Sequence, residues 1–180
     1  MKRRPRTGAL ILVTAGLVTA GLAFAWYSAA AVAGSTPRVS GFQAKLFYNT
    51  TGTFSPDVLN NPDFWLWNTS IGEGSAESPS TATVVLVEVT GEANGFDLVN
   101  RLEFSATYKV PEIGADVSPS VRDVRVEETV GLCGFGPDGK CLLGFWLHDT
   151  GCTSVKLHAV ISGQPKETGL EDDILFACGE

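Results

Sequence analysis

The side chains best suited to chemistry in this sequence are its four cysteines: Cys133, Cys141, Cys152 and Cys178. No two of them are in a Cys-x-x-Cys relation, so the spacing offers neither a thioredoxin-type active site nor a paired zinc knuckle. An even number of cysteines favours disulfides in an oxidising compartment. A segment dense in turn formers joins Cys133 to Cys141, so we expect those two to pair and Cys152 to pair with Cys178.

The only two histidines are His148 and His158. We expect them on adjacent strands of a hairpin that turns at residues 149–151, too far apart in register to share a metal ion. His148 next to Asp149 could form an acid–base pair, but no nucleophile or orienting group accompanies it. The acidic stretches 127–128 and 171–173 lack the alternating Asp/Asn spacing of a calcium loop. The sequence therefore predicts no catalytic residue, no metal and no cofactor.

One segment is unusually rich in large apolar side chains: Phe64, Trp65, Leu66 and Trp67. It lies in the stretch from Thr51 to Thr81, which is longer than most loops inside compact domains. Four such side chains in a row cannot all face the same way on a strand. The segment could plug one end of the domain, contact a protein partner, or offer tryptophan rings to a sugar. We take it as the candidate binding surface.

The first 34 residues have the pattern of an export segment. An uncharged run from Gly8 to Gly34 follows four cations, which are Lys2, Arg3, Arg4 and Arg6. The run exceeds the roughly 20 residues that a membrane-spanning helix needs, and Trp26 and Tyr27 suit its interfacial end. The small-x-small pattern ending at Ala33 instead resembles a cleavage site. We expect a retained anchor with a cytoplasmic N-terminus, and a secreted protein if cleavage follows Ala33.

The expected organisation is a basic tail (1–7), a transmembrane anchor or long signal peptide (8–34), a linker (35–42) and an extracytoplasmic domain (43–180), periplasmic or extracellular. All 20 acidic residues but only nine of the 13 basic residues follow the apolar run, which leaves a net charge of −11 on the exported part. Nucleic acid and anionic lipid repel so acidic a domain. We therefore expect membrane contact only through the N-terminal helix, and a protein of the cell envelope as the partner.

The exported part alternates with a period of two residues, as β-strands do. Seven segments of this kind are separated by Gly, Pro, Asn and Asp: 43–48, 83–89, 102–109, 121–130, 142–148, 155–161 and 174–178. No amphipathic helix pattern occurs among them. The pattern predicts an all-β protein, an antiparallel two-sheet β-sandwich of about seven strands that is Ig-like or C2-like.

Three functions are compatible with these features. The first is a non-catalytic binding or accessory module of the cell envelope, which the anchor, the sandwich and the aromatic segment favour. The second is an envelope thiol-redox or metal-dependent enzyme that uses the cysteines or His148. The third is a secreted structural or surface subunit that assembles by pairing of its edge strands.

Overall fold

The computed structural model describes residues 36–64, 80–112, 120–151 and 153–176. The expected anchor at 8–34, three of the four residues in the aromatic segment (Trp65, Leu66 and Trp67), and two of the four cysteines (Cys152 and Cys178) lie outside these ranges. Within them, no helix has the length and apolar character needed to cross a membrane.

The described residues form eight strands: β1 (Arg38–Tyr48), β2 (Thr53–Phe54), β3 (Ser80–Thr90), β4 (Arg101–Glu112), β5 (Ser120–Gly131), β6 (Lys140–His148), β7 (Val155–Ile161) and β8 (Leu170–Ile174). Two differences from the sequence prediction stand out. β1 begins at Arg38, within the stretch 35–42 that was expected as a linker. The last strand ends at Ile174 rather than starting there, and a short 3-10 turn, Lys166–Thr168, precedes it.

The strands form two antiparallel four-stranded sheets, and the protein is a β-sandwich as the two-residue periodicity predicted. The first sheet has the order β2-β1-β3-β6 and the second the order β5-β4-β7-β8. β-branched residues in β3, which reads STATVVLVEVT, suit a central strand that pairs on both sides. We call these two antiparallel sheets the first sheet and the second sheet.

The predicted hairpin between β6 and β7 is wrong. β6 pairs with β3 in the first sheet, whereas β7 pairs with β4 in the second sheet. The connection therefore carries the chain across the sandwich. It begins at Asp149, whose φ is +56°, and it passes through Gly151, whose φ is +143°. A turn signal between two alternating segments fits a hairpin and a crossing between sheets equally well, because both arrangements bury one face of each strand.

The core lies between the two sheets and is built from every second residue of each strand. Its centre is a stacked pair of rings, Phe104 from β4 and Phe145 from β6, with centroids 4.1 Å apart. Around this pair lie the other fully buried large side chains of the described ranges: Tyr48, Leu46, Leu102, Leu147, Leu157, Ile161, Ile174, Val85, Val87 and Val89. This alternation also decides which side chains face outward, and these form the candidate site.

Candidate binding surface

The aromatic segment is described only at its first member. Phe64 is half-buried and packs against the core, and its N–H donates a hydrogen bond of 3.0 Å to the carbonyl oxygen of Asn61. This packing agrees with a plug at that position. The orientation of Trp65, Leu66 and Trp67 stays a prediction, because these residues lie outside the described ranges.

Cys133 and Cys141 form a disulfide with Cα atoms 6.0 Å apart, the pairing expected from their spacing. Cys141 starts the inward-facing row of β6 and is buried, while Cys133 is half-buried beside the core. Gly139 makes the tight return between them possible, since its φ of +72° is readily adopted only by glycine. The bridge anchors this loop to the core. The pairing of Cys152 with Cys178 is a prediction about residues outside the described ranges.

The two histidines lie in different sheets and not on adjacent strands. His148 is exposed at the end of β6, where its ring stacks on Trp146 with centroids 6.3 Å apart. His158 is on β7, directly opposite Glu171 of β8. Across the described ranges, no three His, Cys, Asp or Glu side chains converge as metal ligands would.

The outer face of the first sheet carries an aromatic cluster that the sequence analysis missed. Its members are Phe47 on β1, Phe54 on β2 and Trp146 on β6. Ring centroids are 5.5 Å apart for Phe47 and Phe54, 5.4 Å for Phe47 and Trp146, and 6.0 Å for Phe54 and Trp146. Tilted and edge-to-face pairs at these distances attract each other beyond the area that they bury. Each ring of the cluster is therefore packed against the other two.

Register explains how rings from three strands meet. Phe47 lies opposite Phe54 on one side and opposite Ala82 of β3 on the other, while Trp146 lies opposite Val84 of β3. Ala82 and Val84 point away from the core, yet only 6% and 8% of their surfaces are exposed. Their neighbours on the outer face must cover them. Small side chains on the central strand thus allow the flanking rings to approach one another above it.

The apolar surface extends along β6 and β3 beyond the cluster. Leu142 is 49% exposed, Phe54 48% and Trp146 44%. Gly144 lies between Leu142 and Trp146 on the same face of β6, and a Cβ built on it would be 3.5 Å from the side chain of Leu86. We call this surface the apolar face; it comprises Phe47, Phe54, Leu86, Leu142, Gly144 and Trp146.

Charged groups at the rim of the apolar face neutralise one another. The Lys140 ammonium donates a hydrogen bond of 2.9 Å to one Glu88 carboxylate oxygen, and the Ser40 hydroxyl donates one of 2.8 Å to the other. The hydrogen bond from Lys140, followed by that from Ser40, lowers the pKa of Glu88 below its usual value. The same hydrogen bond raises the pKa of Lys140. At this end of the apolar face, Lys140 and Glu88 thus form an ion pair.

The outer face of the second sheet has the opposite character. Its outward positions on β4, β5, β7 and β8 are mostly charged: Glu103, Lys109, Asp123, Arg125, Glu127, Lys156, Glu171 and Asp173. A depression of about 390 Å³ there is lined by three cations, Lys109, Arg125 and Lys156. Arg125 forms an ion pair with Glu127, and Lys156 lies opposite Asp173. Neighbouring carboxylates therefore offset much of this positive charge, so the depression is a weak anion site at most.

The sequence matches no protein-family model and no curated protein. The contact surface must therefore be identified from its own geometry. One signal in the sequence could have pointed to it. The stretch Leu142–His148 is apolar at nearly every position, which is typical of a strand buried on both faces. In the structure one of those faces is the apolar face.

Proposed function

We propose that the domain is a non-catalytic binding module of the cell envelope that contacts a protein partner through the apolar face. The observation that carries the proposal is the contrast between the two outer faces of the sandwich. The second sheet exposes charged side chains, as a solvated surface does. The first sheet exposes Phe54 and Trp146, whose ring centroids are 6.0 Å apart, and Leu142 on the same face of β6 as Trp146. Contiguous exposed apolar surface on a soluble domain usually marks an interaction site.

The chemistry of the apolar face favours a protein over a sugar. A sugar site needs hydrogen-bonding groups beside the rings to orient the hydroxyls. The polar groups at this rim, Ser40, Glu88 and Lys140, already bond to one another. Gln43, Lys45 and His148 also lie on this side of the sheet, but the apolar face itself offers a single polar side-chain group, the Trp146 indole N–H. Tryptophan at the centre of such a patch is a frequent anchor of protein–protein interfaces.

The proposal retains an extracytoplasmic location. Its support is the basic, then apolar, pattern of residues 1–34 together with the Cys133–Cys141 disulfide, which suits an oxidising compartment. We propose that the run stays as an anchor. Mass spectrometry of the mature protein tests this, since cleavage after Ala33 would yield a chain that starts at Gly34.

We also assign the sandwich to the Ig-like class rather than the C2-like class. β1, β3 and β6 follow the A-B-E order of Ig-type sandwiches, and β5, β4, β7 and β8 follow the C′-C-F-G order. Domains of this architecture commonly serve as surface recognition modules. Nothing observed in the described ranges favours the thiol-redox or metal-dependent alternative.

Site-specific photo-crosslinking in the native envelope tests the binding surface. A photoreactive phenylalanine analogue replaces Phe54 in the full-length chain, and a matched control replaces Leu98, which is 91% exposed but lies outside the apolar face. We expect a discrete adduct with another protein from position 54 and about tenfold less from position 98. The variant Phe47→Ala, which removes one ring of the cluster, should abolish the adduct. Equal labelling from both positions, or none from position 54, would contradict the proposal.

A further inference from the structure

Three of the four edges of the sandwich are protected against pairing with another strand. β2 has only two residues. β8 carries three consecutive carboxylates, Glu171, Asp172 and Asp173. β5 carries two cations and three anions, with the sequence SVRDVRVEETVG. Short strands and charged side chains are the usual devices by which proteins block edge-to-edge association.

The part of β1 that β2 leaves unpaired is covered by the residues that follow β2. We call residues 55–60 the strap. The Ser55 hydroxyl accepts a hydrogen bond of 2.9 Å from the N–H of Leu46, and the Asp57 carboxylate accepts one of 3.0 Å from the N–H of Ala44. The Asn60 amide donates one of 2.9 Å to the carbonyl oxygen of Phe42. The strap therefore provides hydrogen-bond partners for the backbone groups of β1, much as a neighbouring strand would.

The fourth edge, on β6, shows no such device in the described part of the chain. β6 pairs with β3 over all nine of its residues without a bulge. It contains no proline, and Lys140 at its start carries its only fixed charge. Among the described residues, none outside β3 hydrogen-bonds to the backbone between Cys141 and Leu147. A long, regular and mostly apolar edge is the type that recruits another strand.

We propose that the β6 edges of two copies of this chain pair antiparallel about a two-fold axis at Gly144. The pairing joins the two first sheets into one continuous sheet. This inference goes beyond the proposed function, because it concerns the edge of the sheet and a second copy. Its geometry follows from the symmetry of an isologous dimer, in which the same patch serves both subunits.

The sequence of β6 is complementary to itself in this register. Reversal about Gly144 places Leu142 opposite Trp146 of the second copy on the outer face, and Leu143 opposite Phe145 on the inner face. Aromatic and aliphatic side chains directly opposite each other stabilise antiparallel pairs. Gly144 faces Gly144 at the axis, where it leaves room for these larger neighbours. The two apolar faces then become continuous across the dimer.

Charge at the β6 edge itself does not oppose the approach of a second copy. The exported part has a net charge of −11, so two copies repel each other along most approaches. β6 itself carries no carboxylate; Asp138 and Asp149 flank it in the chain, and Glu88 on the adjacent strand is neutralised by Lys140. Pairing at β8 would instead bring carboxylates face to face, because reversal about Asp172 places Glu171 opposite Asp173. Nine residues at about 3.4 Å each give an edge of roughly 30 Å, so the interface is small and association depends on concentration.

A cysteine at the proposed axis tests the pairing. Residues directly opposite in an antiparallel pair have Cα atoms about 4.5 or 5.5 Å apart, within the range of a disulfide. Gly144→Cys should be tolerated, because the added Cβ would meet Leu86 at an ordinary contact distance of 3.5 Å. Gly131→Cys is the matched control, since Gly131 ends the β5 edge strand, is exposed and has open space around its Cα.

Both variants are made in the full-length chain, oxidised mildly and analysed on non-reducing gels with peptide mapping. We expect the first variant to form a dimer linked through the two thiols introduced at position 144, at about ten times the yield of any dimer from the second. Adding Leu142→Glu to Gly144→Cys should lower that yield about tenfold, because it brings a carboxylate opposite Trp146 at each end of the pairing.

Sedimentation should show the wild type forming dimers as its concentration rises, while Leu142→Glu alone stays monomeric.

A monomeric Gly144→Cys chain, equal dimer yields from the two glycine positions, or a bond from the introduced thiol to a different protein would each overturn the inference. This result is separable from the crosslinking at position 54. Position 144 reports contact between copies, whereas an adduct from position 54 with a protein other than this chain reports a partner on the apolar face.

Discussion

The phenol of Tyr108 donates a hydrogen bond of 2.7 Å to the main-chain carbonyl oxygen of His148. Tyr108 lies on β4 in the second sheet, and His148 ends β6 in the first sheet. The bond therefore joins the two sheets at the point where the chain leaves β6 and crosses from the first sheet to the second. Burial raises the pKa of Tyr108, and the nearby negative charge of Asp149 adds to this effect.

Replacing Tyr108 with phenylalanine should lower the free energy of unfolding by about 0.5–1.5 kcal/mol, because the carbonyl of His148 loses its buried donor. The raised pKa also predicts a pH effect. The contribution of the neutral phenol is complete below the ordinary tyrosine pKa and is lost as the pH rises through the higher folded value. Denaturant titrations at neutral and alkaline pH should show a steeper alkaline loss for the wild type than for Tyr108→Phe. Parallel losses would contradict the assignment.

Truncation of Phe145 should mainly lower stability, whereas truncation of its neighbour Trp146 should mainly weaken partner binding. Phe145 stacks on Phe104 in the core, so Phe145→Ala should cost about 3–5 kcal/mol of stability. Trp146 is 44% exposed on the other side of the strand. Trp146→Ala should cost much less stability but about 2–4 kcal/mol of partner binding. Melting curves and binding measurements on the two variants separate these effects, and equal destabilisation would show that Trp146 is a packing residue.

The strap gives a third prediction, in which Asp57 and Asp97 form a matched pair. The Asp57 carboxylate bonds to the N–H groups of Ala44 and Leu59 and to the Asn60 amide. The Asp97 carboxylate likewise bonds to Val99 N–H, Asn100 N–H and the Asn100 amide, but within a loop. Each change to alanine should cost about 1–3 kcal/mol of stability.

Only Asp57→Ala should also promote aggregation, because it uncovers the edge of β1. Light scattering at matched stability, with mild denaturant added to equalise the two variants, provides the measurement. Aggregation that follows stability alone, whichever aspartate is changed, would show that the strap does not protect the edge.

The disulfides can be tested by non-reducing peptide mapping. We expect one fragment that links Cys133 to Cys141 and a second that links Cys152 to Cys178. Replacing both Cys133 and Cys141 with serine should lower the free energy of unfolding by about 2–3 kcal/mol. The effect is modest because opening so short a loop adds little conformational entropy to the unfolded chain. The buried position of Cys141 adds to that cost. A free thiol at either position in the wild type, or a different pairing, would contradict the assignment.

Local patterns in the sequence were enough to identify six of the eight strands, β1 and β3 to β7, and one disulfide. Leu102, Phe104, Ala106 and Tyr108 alternate with polar residues, and all four lie in the core. The turn formers between Cys133 and Cys141 likewise indicated a short bridged loop. In both cases the determining interactions lie within a few residues along the chain. Steric and hydrophobic preferences over such distances leave a periodic pattern that can be read without knowing any long-range contact.

Only the tertiary structure decided which sheet each strand joins. The segments on either side of residues 149–151 read as a hairpin, yet β6 belongs to the first sheet and β7 to the second. The apolar face depends on the same choice, because Phe47, Phe54 and Trp146 meet only when β2, β1 and β6 share a sheet. Strand pairing is a competition among partners distant in the chain. Its outcome depends on the packing of the whole core, which two-residue alternation does not encode.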